Sequence, residues 1–265
     1  MGSLQGCLWQ RTSSGGTLKL RAMSGSLPVH VAFLTDQSSP FDRAVEPGRP
    51  PRQLTEALWL FAPNRAAQGG SSWLLQGDAQ RGQPDLLVDC PAYTEANLEL
   101  LDRRAQVAGA SAGLIVLTGR DGHGELRRLQ QRLGWPVLVQ EQEAYLLPGV
   151  EQLEAFAETL EPAPGVRLLW TPGPSPGACV VHVQRPGVDG LFCGRLLVPL
   201  APGRLAPLQT PRTFHWPRQL ASVQRLRAWL PQSSPDWLAT GAALGALRGQ
   251  HLVANAAELL KSLAP

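Results

Sequence analysis

Apolar residues fall along the chain in two patterns: short runs with hardly a polar position, and longer stretches spaced at three to four residues. Val29–Leu34, Leu58–Phe61, Ser72–Leu75, Leu86–Asp89, Leu114–Leu117 and Val137–Val139 are of the first kind and predict strands. Leu114–Leu117 has no polar position at all, as expected of a strand covered on both faces. Between these runs the second pattern predicts helices. Thr94 is expected to cap one, with Glu95 favouring its N-terminus, Leu98, Leu101 and Ala105 along one face, and Gly109 at its end. Another is predicted from Glu125 to Leu133, with Leu126, Leu129 and Leu133 in register and Gly134 as the stop. The four prolines between Ser38 and Arg52 predict an exposed loop.

The second half repeats the theme less regularly. Val166–Trp170 and Ala178–Val183 read as strands, and Arg185–Gly190 as a turn leading into Leu191–Cys193. Pro217 is expected to open a helix with Leu220, Val223, Leu226 and Leu230 on one side. Trp237–Ala239 reads as a late strand and Ala256–Leu263 as a closing helix. Strands alternating with helices predict an α/β fold, and two strand-rich halves allow two sheets packed face to face between helices.

Composition narrows the function classes. The chain has 265 residues and 43% hydrophobic residues, enough for one sizeable core. No apolar run reaches the roughly 18–20 residues of a membrane span, so no membrane partner is expected. The net charge of +3, without clustered Lys and Arg among aromatics, gives no reason to expect nucleic acid. The four cysteines form no C-x-x-C pair and read as reduced thiols, which points to the cytoplasm. Residues 1–27 are rich in Ser and Gly, with basic Arg11, Lys19 and Arg21 and no acidic residue before Asp36. They are expected to be a disordered extension, or to reflect a start assigned too early, with Met23 as the true start. If they are an organelle transit peptide, the destination is a plastid stroma. Residues 28–265 are expected to form a single domain.

Several segments carry the candidate chemistry. Val116–Gly124 reads as apolar strand, threonine, then a Gly- and Asp-containing turn before a helix. Leu86–Pro91 is a strand ending in Asp89. Thr171–Gly177 reads T-P-G-P-S-P-G, Leu191–Arg195 reads L-F-C-G-R, and Thr240–Ala242 reads T-G-A. In this order and at these strand ends, the segments resemble the motifs of the metallo-β-lactamase superfamily, over roughly Leu58 to Leu252. The resemblance implies a four-layer αββα sandwich. Gln140–Pro148 and Thr213–Leu220 are further similar to a cyanobacterial subgroup that also departs from the usual ligand set.

The resemblance implies a metal centre whose ligand positions are changed here. In the first turn, T-H-x-H-x-D-H, the three histidine positions hold Gly119, Asp121 and Gly124, and the aspartate position holds His123. Pro174, Arg195 and Ala242 stand at the later ligand positions. Glycine, proline and alanine donate no side-chain electron pair, and arginine stays protonated. No metal cofactor is therefore expected. The alternative is zinc or another divalent metal on a rebuilt site of Asp121, His123 and Cys193, with Cys193 facing the same way as Arg195 if its strand is regular. The blander reading leaves Asp121 and His123 as loop residues bonded to their neighbours.

Arg195 is expected to point into the cleft and pair with Asp121 or Asp89, or else to reach solvent. Glu141, Glu143 and Tyr145 read as a solvated strand end that lies near the cleft, and His215, Trp216 and Arg218 as packing and capping residues. Neither a G-x-S-x-G elbow nor a P-loop is present. Three functions follow. The first is a non-catalytic scaffold binding a small anionic ligand or a protein partner, with positive charge from Arg120 and Arg195. The second is a metal-dependent hydrolase of esters, thioesters or phosphoesters with a reduced site. The third is a subunit of a larger assembly.

Overall fold

A computed structural model describes residues 44–108 and 113–263. The expected strand at Val29–Leu34, the extension 1–27 and the helix stop at Gly109 lie outside these residues. The first sheet runs in chain order: β1 (Arg52–Gln53), β2 (Leu58–Asn64), β3 (Gly70–Leu75), β4 (Leu86–Val88), β5 (Leu114–Val116), β6 (Val137–Gln140) and β7 (Leu153–Phe156). It is antiparallel from β1 to β4 and parallel from β4 to β7. The parallel steps need crossovers, which α1 (Glu95–Ala108), α2 (Leu126–Leu133) and the short α3 (Glu141–Ala144) provide.

The second sheet contains β8 (Thr159–Ala163), β9 (Val166–Trp170), β10 (Cys179–Arg185) and β11 (Val188–Phe192). A separate hairpin, β12 (Val198–Ala201) with β13 (Arg204–Ala206), and helix α4 (Trp216–Trp229) follow. Then β14 (Trp237–Ala239), β15 (Val253–Ala254) and α5 (Ala256–Ser262) complete the chain. The spatial order is β15-β14-β11-β10-β9-β8.

Alternation along the strands builds three apolar layers. Leu58, Leu60, Trp73, Leu75, Val88, Val116 and Leu138 of the first sheet face Val166, Leu168, Val181, Val183 and Phe192 of the second. The other face of the first sheet, with Phe61, Leu74, Leu87, Ile115 and Val139, packs on Leu98 and Leu101 of α1 and Leu126 and Leu129 of α2. Leu169, Val180, Leu191 and Leu238 pack outward on Val223 and Leu226 of α4 and Leu260 of α5. The architecture is helix, sheet, sheet, helix. Because each sheet is covered on both faces, its strands read as continuous apolar runs.

Several local expectations change. Among the described residues the Thr94 hydroxyl makes no hydrogen bond. Instead the carbonyls of Glu46 and Pro47 accept from the first amides of α1, Glu95 and Ala96, at 2.8 and 3.1 Å. The preceding segment thus satisfies the free helix donors that a side-chain cap would have taken. Leu220 is 37% exposed, so the buried face of α4 is set by Gln219, Ser222, Val223 and Leu226. His215 caps that helix, accepting from Arg218 N at 3.2 Å. Glu141–Ala144 is helical rather than a strand end, and Glu143 is fully buried.

The outer face of the second sheet also buries a polar group. His182 on β10 is buried between β10 and α4, edge-on to Trp229. Arg167 lies 3.0 Å from its Nδ1, and Ser234 Oγ and Asp189 Oδ1 lie 2.8 and 3.1 Å from its Nε2. Ser234 donates to Asp189 at 2.7 Å.

Leu168 sits fully buried at the centre of the inter-sheet layer. Leu168→Ala is expected to lower unfolding free energy by about 2–5 kcal/mol, from lost transfer energy and a residual cavity. Denaturant unfolding measures this as a lower midpoint at unchanged slope.

Candidate functional site

The cleft forms where β4 and β5 end side by side. Val88 pairs with Val116, so Asp89 and Thr118 emerge as neighbours. Asp89 takes a left-handed conformation (φ 59°), and its carboxylate turns onto Thr118. Thr118 N donates to Oδ1 at 2.7 Å and Thr118 Oγ1 to Oδ2 at 2.6 Å. Gly122 lies directly over this pair; a Cβ there would sit 2.1 Å from Asp89 Oδ1. Burial pushes the Asp89 carboxyl up to about 6 against the lowering effect of the Thr118 bonds and the Arg195 charge, and Asp121 raises it further.

Beyond Thr118 the chain makes a short 3-10 turn, Arg120–Gly122, that aims Asp121 across the cleft. Asp121 Oδ2 lies 3.3 Å from Arg195 Nε, and its Oδ1 accepts from Arg212 Nη2 at 2.5 Å. Arg195 Nη2 donates in turn to the carbonyls of Gln68 (3.0 Å) and Ala67 (3.3 Å) in the β2–β3 turn. Arg212 Nη1 reaches the Gln68 side chain at 2.7 Å. Of the two expected partners, Arg195 thus pairs with Asp121, while Asp89 is held by Thr118.

Arg120 is exposed, lines the cleft, and lies 3.5 Å from Oε1 of the buried Glu143. Gly177 N donates to the same oxygen at 3.0 Å. Glu143 Oε2 and His123 Nε2 are both buried without a partner among the described residues. Burial lowers the His123 pKa, partly opposed by Glu143 and Asp121.

Cys193 corrects an expectation. Its strand stops at Phe192, and Gly194 turns the chain (φ 52°), so Cys193 does not share a face with Arg195. Its thiol donates to Leu197 O at 3.3 Å within the outer apolar layer, where burial pushes its pKa up to about 12. Among the described residues, no three His, Cys, Asp or Glu side chains converge as a metal site would require.

The loops around Arg195 are packed tightly. The cavity they leave has a volume of about 30 Å3, lined by Asp89, Thr118, Asp121, Ser175, Arg195 and Gly241 among others. That exceeds the ~10–15 Å3 needed to admit a water, and Arg195 and Asp121, which line it, remain partly exposed. A Cβ on Gly119 would meet Ser175 Oγ at 3.0 Å, and one on Gly124 would meet Cys90 Cβ at 3.1 Å. Gly173 (φ 145°) lets the Thr171–Gly177 loop dock on α4, where a Cβ would lie 2.3 Å from Gln219 Cα. Gly241 N donates to Gly194 O at 2.7 Å, and Ser71 N to Gly241 O at 3.2 Å, so the three remaining loops meet backbone to backbone.

This arrangement, at the strand ends of an αββα sandwich, agrees with sequence comparison. The family model described as "Metallo-beta-lactamase superfamily" matches residues 96–230. The chain belongs to that superfamily. Solved structures of similar fold include VMB-1 (15% identity, TM-score 0.59, covering 82% of this chain and 95% of that one). A metallo-beta-lactamase from Pontibacter korlensis gives 18% identity and TM-score 0.54 over 80% and 99% of the two chains. An archaeal superfamily protein from Sulfolobus tokodaii gives 17% and 0.51 over 78% and 84%. No curated protein matches the sequence. No helix among the described residues is long and apolar enough to cross a membrane.

Two residues of the site had no local signal in the sequence. Arg212 reaches Asp121 across 91 positions, from a segment that precedes a helix. Glu143 lies in a run of polar residues that suggests exposure.

Asp89 gives a pH-dependent prediction. Its folded pKa (about 6) lies above the ordinary 3.8, so its contribution to stability is fully present below 3.8 and lost as pH rises through about 6. Asn in its place accepts from Thr118 N and donates to Thr118 Oγ1, and does not titrate. Asp89→Asn is expected to flatten the fall in stability between pH 4 and pH 6, measured by denaturant unfolding across that range.

Proposed function

We propose that this superfamily member does not carry out metal-dependent hydrolysis, and that its cleft binds a small anion. The observation that carries this is the Arg195 guanidinium. It lies at the segment where the family resemblance places a metal ligand, salt-bridged to Asp121 and bonded to two main-chain carbonyls. A fixed cation there disfavours a dication by repulsion and suits a carboxylate or phosphate. The Arg195 side chain is 29% exposed, which leaves part of the guanidinium within reach of a ligand.

The donor chemistry supports the same reading. A catalytic zinc usually needs three protein ligands. Gly119, Gly124, Pro174 and Ala242 offer none from their side chains. Asp121 is engaged by two guanidiniums, and Cys193 faces the outer layer. The residues present do not fit the metal centre that the family implies. The unpartnered Nε2 of His123 is the one feature that favours a hydrolase with a reduced site.

Metal analysis of the full chain, purified without added zinc and again after zinc loading, distinguishes the two. Less than stoichiometric metal is expected in both. Stoichiometric zinc that disappears in Asp121→Ala/His123→Ala would establish the reduced-site hydrolase instead. In thermal unfolding, acetate or phosphate is expected to raise the Tm of the wild type and to leave that of Arg195→Ala unchanged. An equal rise in both would remove Arg195 from the binding site.

Returning histidines to the cleft is also expected to fail. Position 119 has Ser175 Oγ at 3.0 Å from a Cβ, and position 124 is in a left-handed conformation (φ 47°). Gly119→His/Gly124→His is expected to gain no zinc affinity and to lose at least about 1–3 kcal/mol of stability. Calorimetric zinc titration and denaturant unfolding read the two effects.

A further inference from the structure

Three grooves away from the cleft carry charge, and they differ in whether that charge is compensated. In the groove beside α1, Arg104 is bidentate on Asp85, with both contacts at 2.8 Å. Between α4 and α5, Arg227 donates to the carbonyls of Lys261 and Leu263, and Lys261 pairs with Glu258 at 2.8 Å. The third groove has a volume of about 350 Å3 and lies between the Arg49–Arg52 segment, the outer part of β2 and the loop from Leu244 to His251. Its apolar wall is Leu60, Pro63 and Leu244. Among the described residues, neither Arg49 nor Arg52 forms an ion pair, and no carboxylate lines the groove.

His251 does not supply the missing counter-charge. Its Nε2 lies 2.7 Å from Arg52 Nη1. A guanidinium only donates, so Nε2 must accept and the ring is neutral with its proton on Nδ1. Burial and the Arg52 charge both lower its pKa, which favours that neutral form. The contact orients Arg52 and leaves its charge uncancelled.

The backbone that presents the two arginines is held on both sides. On one side, the Glu46 and Pro47 carbonyls bind the start of α1, and Gly48 packs so closely on Thr94 that a Cβ would lie 2.4 Å from its side chain. On the other, Arg52 pairs with Leu60 in the first sheet. Arg49 sits between these anchors, so less ordering entropy opposes binding than on a free loop.

We propose that this groove binds a small organic anion, with a phosphate or carboxylate head held by Arg49 and Arg52 and a short apolar body on Leu60, Pro63 and Leu244. The volume lies within the range of about 300–1,000 Å3 usual for small-molecule sites. The site is separate from the Arg195 cleft and does not rest on the function proposed for it.

Titration calorimetry of the full chain with phenyl phosphate and with benzoate, using phenol as the neutral comparison, tests this. At least one of the two anions is expected to bind saturably and phenol is not. Arg49→Gln/Arg52→Gln is expected to weaken binding by ~10-fold or more, the effect of losing charge-assisted hydrogen bonds. Arg49→Gln alone, at an exposed and unpaired position, is expected to give part of that loss without affecting the fold. Arg195→Met removes any anion binding in the cleft, and the binding that depends on Arg49 and Arg52 is expected to persist in it. The proposal is overturned if neither anion binds or if phenol binds equally well. It is also overturned if the double substitution leaves binding unchanged, whatever Arg195→Met does.

Discussion

One ion pair organises the cleft. Arg195 and Asp121 belong to different sheets, and each is half-buried, where a charge without a partner would be costly. Their contact draws the turn after β5 toward the turn after β11. The two carbonyls that Arg195 also binds bring in the β2–β3 turn, and Arg212 adds the segment before α4. Four loops from distant parts of the chain thus share one cluster of charge. Removing Arg195 alone would leave Asp121 with only the exposed Arg212 and take a donor from the Gln68 carbonyl, while the Ala67 carbonyl keeps Gly70 N at 2.7 Å.

Beneath this cluster a second, neutralising device operates. Asp89 accepts both Thr118 donors and sits too deep to ionise freely, so the floor of the cleft carries little negative charge in mildly acidic conditions. The tight approach of Gly122, Gly119 and Gly241 leaves a small cavity of about 30 Å3 beside the partly exposed Arg195.

The sandwich was legible because its strands are covered twice. Leu86–Val88 and Leu114–Val116 are apolar at every position, and helical spacing in Leu126–Leu133 marks the covering layer. Strands with little apolar content escaped: in β7, Glu154 and Ala155 are exposed, and the β12–β13 hairpin carries Pro199 and Gly203. Thr94 stands just before α1 as its residue type suggests, and its carbonyl accepts from Leu98 N, while the carbonyls that take the first helix amides arrive from residues 46 and 47. At the cleft, Asp121 and Arg195 were identified from their motif positions and the structure brings them together. The alternative that gives Cys193 the face of Arg195 holds only for a regular strand, and Gly194 turns the chain there. Arg212 and Glu143 depend on long-range contacts that no local pattern encodes.

The buried network around His182 shows how little residue identity decides about reactivity. Serine, histidine and aspartate lie within hydrogen-bond distance of one another, as in many hydrolases, yet the protons are arranged otherwise. Arg167 can only donate to Nδ1, so the imidazole proton must reside on Nε2, facing Ser234. The serine's own proton is already committed to Asp189. A base that holds its proton toward the would-be nucleophile cannot take another from it. The three side chains therefore serve as a cross-link between β10, β11 and the chain leading into β14, and a search of this fold for hydrolytic machinery by composition alone would select the wrong place.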